Sequence, residues 1–145
     1  MKSKAVLGVI LAAIMEVLLY FPGIASAGDV IIIANKDVSA SSISAADLEN
    51  IFLAKKTEWD NGQKIDFVTL QDCQTHDDFL TKYLKKTSAQ FQRYFRSLVF
   101  TGKGKAPRAF QTEQSLVDYV AGAAGAIGYV SAGTNTSSVK VLTVN

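Results

Sequence analysis

The sequence predicts a mixed α/β domain, in which a sheet of about four to five strands carries helices on both faces. Val30 to Ala34 is a run of mostly β-branched residues without polar alternation, which is typical of a strand buried on both faces of a sheet. Amphipathic helical patterns follow this run and alternate with further strand patterns. Such alternation is characteristic of layered α/β folds with right-handed crossovers between parallel strands.

The N-terminal region has the pattern of a secretory signal peptide. A basic start precedes an apolar block from Ala5 to Phe21, and Ala25-Ser26-Ala27 supplies small residues for cleavage. A membrane anchor is the alternative, but Glu16 interrupts the block and a spanning helix needs about 20 apolar residues. We therefore expect residues 1–27 to be removed, leaving residues 28–145 as one periplasmic or secreted domain.

The composition of residues 28–145 excludes some classes of protein. They hold 13 Lys and Arg against 12 Asp and Glu, and this near balance gives no reason to expect a nucleic-acid-binding protein. Cys73 is the only cysteine, so the chain cannot form an intramolecular disulfide. In an oxidising compartment such a thiol is buried, paired with another chain or reactive, and we expect Cys73 to be partly buried.

The next elements are a helix and a strand. Ser44 is a typical N-cap for a helix from Ala45 to about Ala54, whose apolar residues recur on one face. Trp59 to Gly62 predicts a turn, and Ile65 to Leu70 predicts the second strand.

Two amphipathic helices then predict a helical hairpin. Thr75 is the expected N-cap of the first helix, which ends near Lys86, and Ser88 is the expected N-cap of the second. The second helix ends before the segment Phe100 to Pro107, whose glycines, lysines and proline predict a loop.

The last third of the chain predicts one helix and two strands. Thr112 is the expected N-cap of a helix that ends at Gly122. Strands are expected from Ala126 to Val130 and from Val139 to Val144.

Neither catalytic nor metal chemistry is favoured by the residues. Cys73 and His76 could form a thiol and base pair, but no orienting group or oxyanion hole accompanies them. A structural zinc site needs about four ligands, and the chain has one Cys and one His. We therefore expect no enzymatic activity, no metal and no cofactor.

An anion site is the remaining chemical hypothesis. The loop Gln71 to Asp78 follows a strand, where ligands of open α/β sheets bind, although its aspartates oppose an anion. The alternative is that Thr75 and Asp78 only cap a helix. Lys103 and Gly104 offer a cation and a glycine amide, or else belong to a solvated turn.

Three blocks of the sequence resemble the phosphate ABC-transporter substrate-binding protein family. They are the stretch Ser44-x-x-Asp47-Leu48-x-x-Ile51-Phe52-Leu53-x-Lys55 with the Trp59-x-Asn61-Gly62 that follows it, the segment Phe100-x-Gly102-x-Gly104-x-x-Pro107, and the strand Gly125 to Val130. The blocks occur in the family's order over nearly all of residues 28–145. The chain is most similar to short members of the family.

The resemblance implies one lobe of a type II periplasmic-binding-protein fold and a non-enzymatic role. Its implied partners are a small oxyanion such as phosphate and either a membrane transporter or a periplasmic protein. We expect six residues to contact the ligand, namely Asn35, Lys36, Thr75, His76, Lys103 and Gly104. The alternative is a protein-interaction module that kept the fold and lost the ligand, with an exposed apolar patch around Trp59 or the hairpin.

Overall fold

One sheet of six strands runs through residues 29–145, the part of the chain that the computed structural model describes. The predicted signal peptide, residues 1–27, lies outside these residues. In chain order the strands are β1 Val30–Ala34, β2 Ser42–Ile43, β3 Asp66–Leu70, β4 Arg108–Phe110, β5 Ala126–Ser131 and β6 Lys140–Val144.

The sheet is mixed, with the spatial order β2-β6-β1-β5-β3-β4. Strand β3 pairs in parallel with β4 and β5, whereas β1 pairs antiparallel with β5 and β6. Strands β4, β3 and β5 therefore end at the same edge of the sheet. This arrangement confirms the predicted mixed α/β fold.

Four α-helices lie within the described residues. They are α1 Ala45–Phe52, α2 Gln74–Phe79, α3 Ser88–Phe100 and α4 Glu113–Gly122, and α2 continues as a π-helical segment, Leu80–Leu84. No helix in residues 29–145 is long and apolar enough to cross a membrane.

Both faces of the sheet carry helices because successive residues of β5 point to opposite sides. The ring of Tyr129 stacks on Phe79 of α2 with their centroids 3.9 Å apart. Gly128 points to the other face, where a Cβ atom would lie only 2.8 Å from the Leu116 side chain of α4. Glycine at this position therefore lets α4 approach the sheet closely.

Aromatic rings bring α1 and α3 onto the Tyr129 face. Phe52 of α1 contacts Tyr129 and Phe67, with centroid distances of 5.8 and 5.4 Å. Phe67 of β3 in turn contacts Phe95 of α3 at 5.9 Å. One continuous apolar core therefore joins the first three helices to the sheet.

The predicted number of strands, four to five, was too low. The missed strands, Ser42–Ile43 and Arg108–Phe110, have two and three residues. Each forms only because it pairs with a strand distant in sequence, β6 and β3 respectively. Such short segments carry no periodicity from which a strand could be predicted.

Two predicted helix caps were also wrong. Cys73 is the N-cap of α2 and its side chain makes no capping hydrogen bond, so Thr75 lies inside the first turn. Thr87 caps α3 and forms a capping box with Gln90, which leaves Ser88 free to contact another loop. Thr112 caps α4 as expected.

The hydroxyl of Tyr129 connects β5 to the end of β3 and to α2. It accepts a hydrogen bond from the amide of Leu70 at 3.0 Å and lies 2.5 Å from Nδ1 of His76. Because the Leu70 amide already donates to the phenol oxygen, we assign the phenol proton to the second contact, with His76 accepting at Nδ1 and carrying its own proton on Nε2. Tyr129 is fully buried, and burial raises the pKa of its hydroxyl, which stays protonated.

We predict that Tyr129→Phe lowers the free energy of unfolding by about 1–3 kcal/mol, because it leaves the Leu70 amide and His76 Nδ1 buried without partners. Urea denaturation measures this loss. Tyr83→Phe is the matched control, since the Tyr83 hydroxyl makes no comparable buried hydrogen bond, and it should leave the midpoint nearly unchanged. Equal midpoints for wild type and Tyr129→Phe would contradict the role given to the hydroxyl.

Candidate functional site

The ends of the parallel strands β4, β3 and β5 form what we call the carboxyl edge, made of Leu70–Thr75, Phe110–Glu113 and Ser131–Thr134. Helices α2 and α4 both begin there. Helix N-termini present unpaired amides, and ligands of parallel sheets bind at this kind of edge.

The carboxylate of Glu113 lies at the centre of the carboxyl edge. It accepts hydrogen bonds from the Ser131 amide at 2.9 Å, the Ser131 hydroxyl at 2.8 Å and the Thr134 hydroxyl at 2.7 Å. The hydroxyl of Thr75 also interacts with it. These donors form what we call the hydroxyl cradle, consisting of Thr75, Ser131 and Thr134.

The cradle holds Glu113 in its charged form. Burial alone would raise the pKa of this carboxyl, but the hydrogen bonds from Thr134 and Ser131, with a smaller contribution from the nearby Thr75 hydroxyl, outweigh burial and lower it. Glu113 is also in the first turn of α4, where the helix dipole favours a negative charge. A negatively charged oxygen group is therefore what this part of the edge stabilises.

Asp72 adds a second carboxylate to the carboxyl edge. Its side chain accepts a hydrogen bond from the Ser88 hydroxyl at 2.5 Å and a longer one from Gln92 at 3.5 Å. These contacts fasten the β3–α2 loop to the start of α3.

His76 is the only histidine of the chain, and its side chain is buried. Its Nδ1 accepts from the Tyr129 hydroxyl, and its ring lies 5.9 Å from the ring of Phe91. Burial lowers the pKa of His76, while the charges of Asp72 and Asp77 act in the opposite direction. The neutral imidazole therefore holds α2 in place from beneath the edge.

Asn35 and Lys36 lie at the opposite edge of the sheet. The backbone amide of Asn35 donates to the carbonyl of Ala126, the first residue of β5. Ala126 in turn pairs with Asp66 at the start of β3. The length of β3, roughly 13 Å at about 3.3 Å per residue, separates this position from the carboxyl edge.

The Asn35 side chain has a structural role at that position. Its Nδ2 donates to the carbonyls of Val120 and Ala121 at 2.8 and 3.2 Å, so it binds the end of α4. Lys36 is exposed beside it.

Lys103 and Gly104 follow the far end of α3. The start of α3 touches Asp72, and Phe100 lies about 18 Å along the helix at 1.5 Å per residue. Gly102 has a φ of 71° and turns the chain out of the helix, as predicted for this loop. Of the six residues predicted to bind ligand, only Thr75 belongs to the carboxyl edge, and the buried His76 lies beneath it.

Two further expectations concern Cys73 and Trp59. Cys73 is exposed, which corrects the expected partial burial, because the N-cap position leaves its side chain outside the helix. Trp59 is buried and donates from Nε1 to the Gly125 carbonyl at 3.0 Å, so no apolar patch surrounds it.

Within residues 29–145 no group of three His, Cys, Asp or Glu side chains could hold a metal ion.

A groove of about 650 Å³ runs along α3 beside the edge strand β4. Its walls include Phe91, Phe95 and Val99, and Asp72 and His76 lie at the end nearest the carboxyl edge. The sequence predicted the apolar stripe of α3 but not this groove, because the groove exists only once Arg108–Phe110 joins the sheet.

Glu113 and its cradle were not found by sequence reasoning. Thr112 followed by Glu113 indicates only a helix start with an acidic first turn. Ser131 and Thr134 lie 18 and 21 residues further along the chain, so no local spacing connects them to Glu113. The expectation that strand ends converge was the one available signal.

Comparisons with known proteins agree with this architecture. A family model described as "PBP superfamily domain" matches residues 25–143. No curated protein sequence matches the chain.

Solved structures with the same fold come from phosphate-binding systems. An ABC-type phosphate transport receptor from Vibrio cholerae is 17% identical, with a TM-score of 0.55 over 80% of this chain and 46% of that one. A Clostridium perfringens protein solved with bound phosphate is 17% identical, with a TM-score of 0.63 over 80% of this chain and 44% of that one. A phosphate binding protein from Stenotrophomonas maltophilia is 21% identical, with a TM-score of 0.57 over 81% of this chain and 39% of that one.

The chain thus spans less than half the length of these structures. At these identities the likeness establishes the fold, which matches one lobe of those proteins.

We predict that the native state loses stability as the pH falls below about 6.5, the ordinary pKa of histidine. Below that pH the unfolded chain protonates His76, whereas the folded chain does so only at a lower pH, so the free energy of unfolding decreases until the folded pKa is passed. Urea denaturation across this pH range measures the loss, and NMR titration of the single histidine gives its folded pKa.

The His76→Gln variant is the control for this pH dependence. It should show no decline in the same window, because no other side chain of the chain has an ordinary pKa near 6.5. A folded-state pKa at or above 6.5 in the wild type would contradict the prediction.

Proposed function

We propose that this chain, which belongs to the PBP superfamily, is a non-enzymatic binding protein for a small oxyanion such as phosphate. The proposed site is the hydroxyl cradle at the carboxyl edge. Support comes from the fold, from the donors gathered at that edge and from the phosphate-related proteins that share the fold.

The observation that carries the proposal is the environment of the Glu113 carboxylate. The amide and hydroxyl of Ser131 and the hydroxyl of Thr134 donate to this carboxylate at 2.7 to 2.9 Å, and the hydroxyl of Thr75 approaches it from a second segment of the chain. Donors in this arrangement suit any small oxyanion, because phosphate, sulfate and carboxylate oxygens accept the same hydrogen bonds.

Glu113 would compete with such a ligand. An oxyanion must displace the carboxylate from Ser131 and Thr134, and Asp72 of the β3–α2 loop and Asp77 of the first turn of α2 add further negative charge. Each like charge at close range opposes an anion by about 1 kcal/mol even in high dielectric. We therefore propose weak binding, with a dissociation constant roughly in the millimolar range.

This proposal keeps part of the expected ligand set. Thr75 belongs to the cradle, and His76 positions α2 beneath it without facing the ligand. Ligand contact by Asn35, Lys36, Lys103 and Gly104 stays a prediction for a different site, because these residues lie away from the carboxyl edge. Ser131 and Thr134 take their place.

Export and partnership complete the proposal. The Ala25-Ser26-Ala27 pattern supports removal of residues 1–27 and action of residues 28–145 in the periplasm or outside the cell. The solved structures contain more than twice the aligned length, which supports a partner that supplies a second lobe or a transporter that receives the ligand.

We predict that Glu113→Gln binds phosphate at least about ten-fold more tightly than the wild type, because the variant removes the competing charge from the cradle. Isothermal titration calorimetry with phosphate, sulfate and acetate measures both affinities. Asp118→Asn is the matched control, since it removes one exposed carboxylate from the same helix and leaves the cradle intact.

The control variant should bind phosphate as weakly as the wild type. If none of the three anions produces heat with the wild type or with Glu113→Gln up to millimolar concentrations, oxyanion binding is refuted. If Asp118→Asn tightens binding as much as Glu113→Gln does, the effect is one of net charge and the cradle is not the site.

A further inference from the structure

Charge is distributed very unevenly along the chain. From Phe79 to Thr112 the sequence contains eight Lys and Arg and no Asp or Glu. The remainder of residues 28–145 holds five Lys and Arg against 12 Asp and Glu. Although the net charge of the domain is near zero, one segment is strongly basic, and it runs from the end of α2 through the π-helical segment and α3 to β4.

The solvent side of α3 brings part of this charge together with an aromatic residue. Arg93, Arg96 and Phe100 follow one another at i, i+3 and i+7, so they lie along one face of the helix. Phe91 and Phe95 are buried against the sheet on the opposite face. Both arginines are exposed, and Phe100 is 92% exposed.

Lysines extend this stripe beyond both ends of α3. Lys85 and Lys86 line a shallow cleft with Arg93 near the start of the helix. Lys103 and Lys105 are exposed in the loop that follows Phe100. We call the combined surface the basic face; its members are Lys85, Lys86, Arg93, Arg96, Phe100, Lys103 and Lys105.

The cations of the basic face are not neutralised within the described residues. The ion pairs in residues 29–145 both involve Lys56, which lies elsewhere. Asp72 borders the same groove as Arg96, but it accepts hydrogen bonds from Ser88 and Gln92. The positive charge is thus available to an external partner.

We propose that the basic face binds the surface of an anionic lipid bilayer, with Phe100 inserted among the headgroups. Clustered cations are attracted to anionic lipids, and an exposed aromatic ring gains by burial at the membrane interface. Phe100 suits insertion because it ends its helix and a glycine turn follows directly, so the ring protrudes.

A stable protein interface fits this surface less well. Only Val99, Phe100 and Val141 are large apolar residues exposed in residues 29–145. A specific protein interface normally buries about 800 Å² on each partner around an apolar centre. The apolar side chains that the basic face exposes are Phe100 and the neighbouring Val99, which are too few for such a centre. Lipid binding needs no shape-matched partner, since charge and one inserted ring are sufficient.

The proposal is tested by vesicle co-sedimentation of the protein purified from cells that export it. We expect binding to phosphatidylcholine vesicles that contain phosphatidylglycerol and little binding to phosphatidylcholine alone. Phe100→Ser should weaken binding about ten-fold, because the inserted ring is lost. Arg96→Gln should weaken it about five-fold, and high salt should abolish it.

Two control variants match these changes. Val141→Ser removes an exposed apolar side chain from β6, and Lys55→Gln removes an exposed cation outside the basic segment. Both should bind anionic vesicles as the wild type does. Every variant carries the same N-terminus, so any contribution of residues 1–27 cancels in the comparison.

Three results would overturn lipid binding by the basic face. The first is equal sedimentation with both vesicle types, and the second is equal loss of binding in Lys55→Gln and Arg96→Gln. In the third, a DNA oligonucleotide displaces the protein from the vesicles, and Phe100→Ser binds this DNA as tightly as the wild type does. That result would assign the cations to a nucleic acid. Phosphate affinity is measured separately, so failure here leaves oxyanion binding untouched.

Discussion

The hydrogen bonds of the Tyr129 hydroxyl are the constraint on which the carboxyl edge depends. The backbone pairing of β3 with β5 covers Asp66 and Phe67, and beyond it the Leu70 amide is held by the side chain of Tyr129. The same hydroxyl donates to His76, which fixes the first turn of α2. A single buried side chain therefore sets where the β3–α2 loop meets the end of β5.

This constraint brings hydroxyl donors from distant segments to one point, and Glu113 is the group that they hold. The Glu113 carboxylate is thus satisfied without any ligand, since it accepts from Ser131 and Thr134 and lies at the start of α4. The binding free energy of an external oxyanion is therefore only the difference between its own hydrogen bonds and those that Glu113 loses. Because this difference is small, binding is weak even though several donors are present.

The sequence predicted those parts of the fold that are encoded locally. Val30 to Ala34 is a strand because its β-branched residues suit a fully buried position, and Thr112 caps α4 through a hydrogen bond within one turn. Arg108–Phe110 was missed because pairing with β3, rather than composition, makes it a strand. Thr75 was misread as a cap because its hydroxyl interacts with Glu113 across the edge, a contact that depends on the tertiary structure.

If the carboxyl edge binds the oxyanion, the loops that hold Lys36 and Lys103 do not respond to it. Nitrogen–proton correlation NMR of the Glu113→Gln chain titrated with phosphate distinguishes these positions, because it reports each amide separately. We expect the largest shifts at Ser131, Thr134 and Thr75, and we expect them to saturate together. Largest shifts at Lys36 or Lys103, with Ser131 unchanged, would contradict this expectation.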